Sequence, residues 1–130
     1  ESLTGGLIGS RITSVPGSSD VFKGSIVAYS GDVKRTVLGV PDIPAVSQEA
    51  VEAMVAGACS VLHADIAAAV TGEAGPNPVE EEVGRVWMAT SVGGVVQSNS
   101  VKWPFDRERI RQFTTITVLN TLRLRLEKET

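Results

Sequence analysis

Apolar positions follow two different rhythms along the chain, and the change of rhythm marks its elements. Val51, Met54, Val55, Ala58 and Leu62 fall at i, i+3, i+4, i+7 and i+11, one buried face of a helix. Ser47 before Gln48-Glu49-Ala50 supplies a cap, with an acid in the first turn. Ile110, Phe113, Ile116, Leu119 and Leu122 recur every three residues and predict the longest helix, Arg107 to Glu127, with a broad apolar side. Shorter helices are predicted over 7–12 and 33–38, the second after the turn Ser30-Gly31-Asp32. Strand patterns occupy Ser25–Tyr29, Asp65–Val70, Val83–Thr90 and Val95–Trp103, the last two joined at Gly93-Gly94 as a hairpin. The order α-β-α-α-β-β-β-α predicts an α/β fold, a three-layer αβα sandwich with a mixed sheet.

Composition narrows the classes. A chain of 130 residues, 42% apolar and 21% charged, makes one soluble domain with a real core. A net charge of −3 argues against a nucleic-acid partner. The arginines at 107, 109 and 111 and at 123 and 125 are explained as solvated helix faces. No apolar run approaches a membrane span, and one cysteine excludes an internal disulfide, so the expected location is the cytoplasm. His63 is the single histidine and has no second ligand type clustered with it, so no metal is expected. The chain opens on what reads as the mouth of a site, which leads us to expect further residues upstream.

Three loops have the composition of a site: Glu1–Gly6, Tyr29–Lys34 and Thr71–Pro76, each at the expected end of a strand. In the first, two hydroxyls and two glycines precede an apolar run, and the unpaired N–H groups of a helix start can meet an anion or an oxyanion. Ser2 is a candidate nucleophile there. Without a usable histidine it needs another base, and a lysine serves if burial keeps it neutral. Lys34 follows an apolar strand and a tight turn, and Tyr29, five residues before it, has a hydroxyl to bridge the two. By spacing alone the commoner readings are Ser2 as a helix cap, Tyr29 as a strand-end residue and Lys34 as a solvated lysine.

The motifs settle more than the spacing. Glu1-Ser2-Leu3-Thr4-Gly5-Gly6 resembles the E-S-C-T-G-G signature of the CinA C-terminal-domain family, the nicotinamide-mononucleotide amidohydrolases. In the same order, Val15–Ser19 resembles V-P-G-S-S, Val27–Lys34 resembles V-A-Y-S-N-E-A-K, and Thr71–Pro76 resembles T-G-I-A-G-P. Leu38-Gly39-Val40, Ala45-Val46-Ser47, Val83–Trp87 and Asp106-Arg107 also have counterparts, so the similarity covers essentially the whole chain. It implies a fold like that of anticodon-binding domains, with about five strands in a mixed sheet. It also implies that residues 1–130 are one amidase domain lacking the family's opening helix and first strand. The implied reaction converts nicotinamide mononucleotide to nicotinate mononucleotide and ammonia, without metal or cofactor. Carried over, Ser2 is the nucleophile, Lys34 the general base and Tyr29 the proton relay between them. Thr4, Gly5, Gly6 and Thr71 are expected at the substrate, Gly72 and Gly75 to leave room for the nucleotide, and Arg107 to meet its phosphate. The expected partner is a small-molecule nucleotide, with a second copy of the chain as a homodimer.

The chain also departs from the family's pattern. Leu3 replaces Cys, Gly31 and Asp32 replace Asn and Glu beside Lys34, Phe105 replaces Gly, and Glu73 replaces an apolar residue in a shortened loop. A carboxylate at Glu73 is expected to repel a phosphate or, if close, to keep Lys34 protonated. The rival reading is therefore a domain that retains the fold and nucleotide binding but not turnover.

Overall fold

The computed structural model describes residues 1–129. Four helices, α1 (Leu7–Thr13), α2 (Gly31–Leu38), α3 (Gln48–Leu62) and α4 (Arg107–Glu129), surround strands β1 (Ile66–Gly72), β2 (Arg85–Val92) and β3 (Val95–Lys102). Ser47 caps α3 as predicted, its hydroxyl accepting from Ala50 N–H, and in the turn before α2 the Ser30 hydroxyl accepts from Val33 N–H. The sheet runs β1-β2-β3 and is antiparallel throughout, with Ala69 opposite Ala89 and Val92 opposite Val95. Gly93 and Gly94, at φ 57° and 82°, make the tight two-residue turn that joins β2 to β3.

The two sheet faces carry two cores. Small residues, Ala69 and Ala89, face Val51, Met54 and Val55 of α3 and Leu38 of α2. Larger ones, Val70, Val86 and Met88, face Ile8 of α1 and Ile110 and Val118 of α4. The layers are therefore helix, sheet, helix, as the α/β reading requires.

Among the described residues the sheet has three strands, all antiparallel, where about five in a mixed arrangement were expected. Residues 25–29, expected as a strand, are not part of the sheet. Their pairing is with Glu1: its backbone nitrogen donates to Ile26 O at 2.8 Å, and Ala28 N–H donates back to Glu1 O at 2.8 Å. This is a single step of parallel ladder. Between this segment and β1 lies an apolar cleft of about 430 Å³, bordered by Phe22, Ile26, Met54, Leu62, Ile66 and Leu119, so the two edges do not bond.

The inward face of α4 also differs from the expectation. Ile110, Thr114 and Val118 are buried, at i, i+4 and i+8, while Phe113 and Ile116 are exposed. Arg125, read as part of a solvated face, is buried and donates to Thr90 O, Thr90 Oγ1 and Val95 O. Among the described residues, no helix is long and apolar enough to cross a membrane.

Candidate active site

Ser2 and Lys34, 32 residues apart, meet at the edge of the fold. Lys34 Nζ lies 3.0 Å from Ser2 Oγ and donates to Tyr29 O at 3.2 Å. Both side chains are buried, at 3% exposure for Lys34 and 6% for Ser2. The short helix α2 brings Lys34 inward one turn after its Ser30 cap, and Ala28, wholly buried, anchors the preceding segment. Burial holds the amine below its ordinary pKa of 10.5, and the negative charge of Glu80 partly opposes this. Among the described residues no carboxylate lies within ion-pair distance of Lys34. The pair thus has the parts of a nucleophile and a neutral-amine base.

The turn carrying Ser2 is gripped from two sides. Gly5 N–H closes it onto Ser2 O at 3.0 Å. Arg111 of α4 donates through Nε to Leu3 O at 2.9 Å and through NH2 to Thr4 O at 3.4 Å. From the other side, the Glu1 carboxylate accepts from Thr4 Oγ1 and from the amides of Gly6, Ile8 and Gly9. The start of α1, expected to be open to a ligand anion, is therefore already occupied by a carboxylate from this chain. Neither Glu1 nor Arg111 was singled out by the sequence reading, because their partners are set by the fold.

Tyr29 stands elsewhere than expected. Its side chain is 61% exposed, and its hydroxyl accepts from Arg107 NH2 at 3.1 Å. Lys34 reaches Ser2 directly, and the Tyr29 hydroxyl, expected as a relay between them, is bonded to Arg107 instead. Arg107 also donates through NH1 to Gly75 O at 2.5 Å, tying the start of α4 to both the Tyr29 and Gly75 loops. Arg107 thus reaches the site through a hydroxyl and a carbonyl, and its positive charge is opposed by no carboxylate in these contacts.

The other residues expected at the substrate have partners within the protein. Thr71 Oγ1 donates to Ala45 O at 2.7 Å. A Cβ at Gly72 would lie 2.8 Å from Val86 Cγ2, and one at Gly75, where φ is 80°, would lie 2.6 Å from Val83 Cγ1. These two glycines make room for β2 and for their own loop. Thr4 Oγ1 and Gly6 N–H are committed to Glu1, and Gly5, at φ 57°, sits against Arg111. Glu73 turns into its own loop, accepting from Glu80 N–H at 3.0 Å, and the carboxylate whose charge reaches Lys34 is that of Glu80. Glu80 is held in turn by Val46 N–H at 3.1 Å. No group of three or more metal-ligating side chains occurs among the described residues.

The CinA C-terminal domain family model matches residues 1–126. The chain belongs to that family. A CinA-like protein of Geobacter metallireducens is 41% identical over 97% of this chain, yet the match covers 32% of that protein. The chain therefore spans about a third of the length of such CinA-like relatives. It is also similar, at 45% identity over 94% of the chain and 81% of the relative, to the nicotinamide-nucleotide amidohydrolase PncC of Pseudomonas putida. Among solved structures, the competence damage-inducible protein A of Klebsiella pneumoniae superposes with a TM-score of 0.93 at 28% identity, covering 97% of this chain and 83% of that one. The CinA-family domain thus keeps the fold of its relatives, and it brings Ser2 and Lys34 together inside it.

Proposed function

We propose that this CinA-family domain is an amidohydrolase that converts nicotinamide mononucleotide to nicotinate mononucleotide and ammonia. The observation that carries the reading is the buried 3.0 Å contact between Ser2 Oγ and Lys34 Nζ. The substrate is supported by the name of the Pseudomonas putida relative, which shares 45% identity over most of both chains.

Ser2 Oγ attacks the carboxamide carbon, and its proton passes directly to neutral Lys34 Nζ. The C–O bond forms as the carbonyl becomes an oxyanion. Collapse of the oxyanion breaks the C–N bond, and Lys34 returns the proton to the departing nitrogen, releasing ammonia. Water, deprotonated by Lys34, then cleaves the acyl–Ser2 ester; Lys34 returns that proton to Ser2 Oγ, and the acid leaves as its carboxylate. Glu80, near Lys34, supplies a negative charge suited to the pyridinium ring that bears the carboxamide. Arg107 supplies the positive charge for the phosphate.

The test is ammonia release from nicotinamide mononucleotide, compared with Ser2→Ala. Turnover lost in Ser2→Ala, with nucleotide binding kept, is the expected result. Binding without turnover in the unaltered protein would instead establish a non-catalytic nucleotide-binding domain.

Tyr29→Phe separates direct proton transfer from a relay. Because the Tyr29 hydroxyl holds Arg107 rather than Ser2, the variant is expected to raise KM a few-fold, about the worth of one exposed hydrogen bond, with kcat nearly unchanged. A fall in kcat of about a hundredfold would restore the relay.

A further inference from the structure

The amides around the nucleophile can be accounted for one by one. Gly5 N–H donates to Ser2 O and Leu7 N–H to Thr4 O, both at 3.0 Å. The amides of Gly6, Ile8 and Gly9 donate to the Glu1 carboxylate at 3.1, 2.9 and 2.9 Å. That carboxylate also accepts from Thr4 Oγ1 at 2.8 Å and Ser25 Oγ at 2.6 Å, five hydrogen bonds in all. Burial alone would raise the Glu1 pKa, but the bonds from Ser25, Gly9, Ile8 and Thr4 outweigh it and hold the group below 4.5. It is ionised at neutral pH.

Two amides are left. Among the described residues, Leu3 N–H and Thr4 N–H donate to no protein acceptor, although Leu3 is 3% and Thr4 0% exposed. A buried amide without an acceptor costs on the order of 1–3 kcal/mol. Two in succession, directly after the nucleophile, mark a place kept for an acceptor from outside the protein. The geometry of the turn gives them a direction. In a trans peptide C=O and N–H point oppositely, so the bond from Arg111 to Leu3 O turns Thr4 N–H away from α4. The bond from Gly5 N–H to Ser2 O likewise turns Leu3 N–H away from Gly5 and out of the turn.

We propose that the Leu3 and Thr4 amides are the oxyanion donors, and that Glu1 is the positioning residue that keeps them free beside Ser2. By taking the amides of Gly6, Ile8 and Gly9 at once, the carboxylate fixes where the turn ends and α1 begins. It also fills the one alternative anion position, at the start of that helix. Glu1 touches no reacting atom in this scheme and acts through the turn. The inference rests on Ser2 being the nucleophile, but not on the identity of the amide it attacks.

Labelling by a small fluorophosphonate tests it. Ser2 Oγ forms a bond to phosphorus, fluoride leaves, the proton goes to Lys34 Nζ, and the phosphoryl oxygen takes the oxyanion position. In Glu1→Gln the amide nitrogen cannot accept from Gly9 or Ser25, so the labelling rate per folded molecule should fall at least about tenfold. The midpoint of its pH dependence, which belongs to Lys34, should stay in place. Ser25→Ala keeps the carboxylate and removes one of its bonds; a fall of about two- to fivefold is expected, and this variant decides the matter if Glu1→Gln does not fold. Unchanged rates in the folded variants would overturn the proposal. So would a moved pH midpoint, since Glu1 would then act through the charge of Lys34, and so would a wild type that is not labelled at Ser2. Labelling as expected without ammonia release from nicotinamide mononucleotide would sink the substrate reading and leave the positioning role standing.

Discussion

Lys34→Met is expected to lower kcat for amide hydrolysis by about a thousandfold or more, the size of effect seen when a nucleophile loses its base. The same variant should be at least as stable as the unaltered protein. A buried amine is desolvated in the folded state, as its depressed pKa records, and an apolar chain of similar length removes that cost. Thermal denaturation and ammonia release measured on one preparation should therefore move in opposite directions. Lys34→Arg sharpens the point, because a guanidinium keeps the charge and cannot act as a base; it should be as inactive as Met. If Arg retained turnover, Lys34 would be serving as a fixed charge, and the proposed proton path would fail. In the unaltered enzyme the neutral amine is the active form, so kcat/KM should rise with pH through a midpoint below 10.5 and be lost as pH falls. Glu80 stabilises the ammonium, so Glu80→Gln should move that midpoint to still lower pH. The stability linkage has the same sign. The folded state binds the Lys34 proton less readily than the unfolded chain does, so the cost of burial is relieved as pH rises through the interval between the depressed value and 10.5.

What could be read in advance depended on how far each signal reaches along the chain. Helix α3 and the β2–β3 hairpin were legible because a cap, a helical period and a Gly-Gly turn are local statements. Ser2 and Lys34 were legible as types and motifs, while their contact, across 32 residues, belongs to the packing of α2 against the opening turn. Glu1 was missed because a cap is normally sought in the residue just before a helix. Here the cap reaches from six residues before Leu7, through a turn that only the fold defines. Tyr29 was misplaced because a spacing of five residues gives proximity without direction: its carbonyl meets Lys34, and its ring points out to Arg107. On α4, a three-residue period drifts around a helix of 3.6 residues per turn, so Ile110, Phe113 and Ile116 cannot all face inward. The fold prefers the four-residue steps to Thr114 and Val118, where the Thr114 hydroxyl accepts from Trp103 Nε1 at 3.1 Å.

Gly57→Ala is expected to destabilise the domain by about 3 kcal/mol or more, although alanine is the better helix former. Gly57 lies inside α3, where exchanging Gly for Ala would ordinarily gain about 1 kcal/mol. Here the added Cβ would stand 2.0 Å from Leu38 O, 2.8 Å from Leu38 C and 3.0 Å from Leu38 Cα. All three are backbone atoms, so no side chain can rotate away, and α2 and α3 must separate. The consequence reaches the site, because Leu38 ends the helix that carries Lys34. A shift of α2 by even part of an ångström stretches the 3.0 Å contact to Ser2 Oγ. Loss of kcat beyond the loss of folded protein should therefore accompany the lower melting temperature, and Gly57→Ser should behave alike, since it adds the same Cβ. A variant as stable as the original, or one that is destabilised with kcat per folded molecule intact, would show that the α2–α3 contact does not set the position of Lys34.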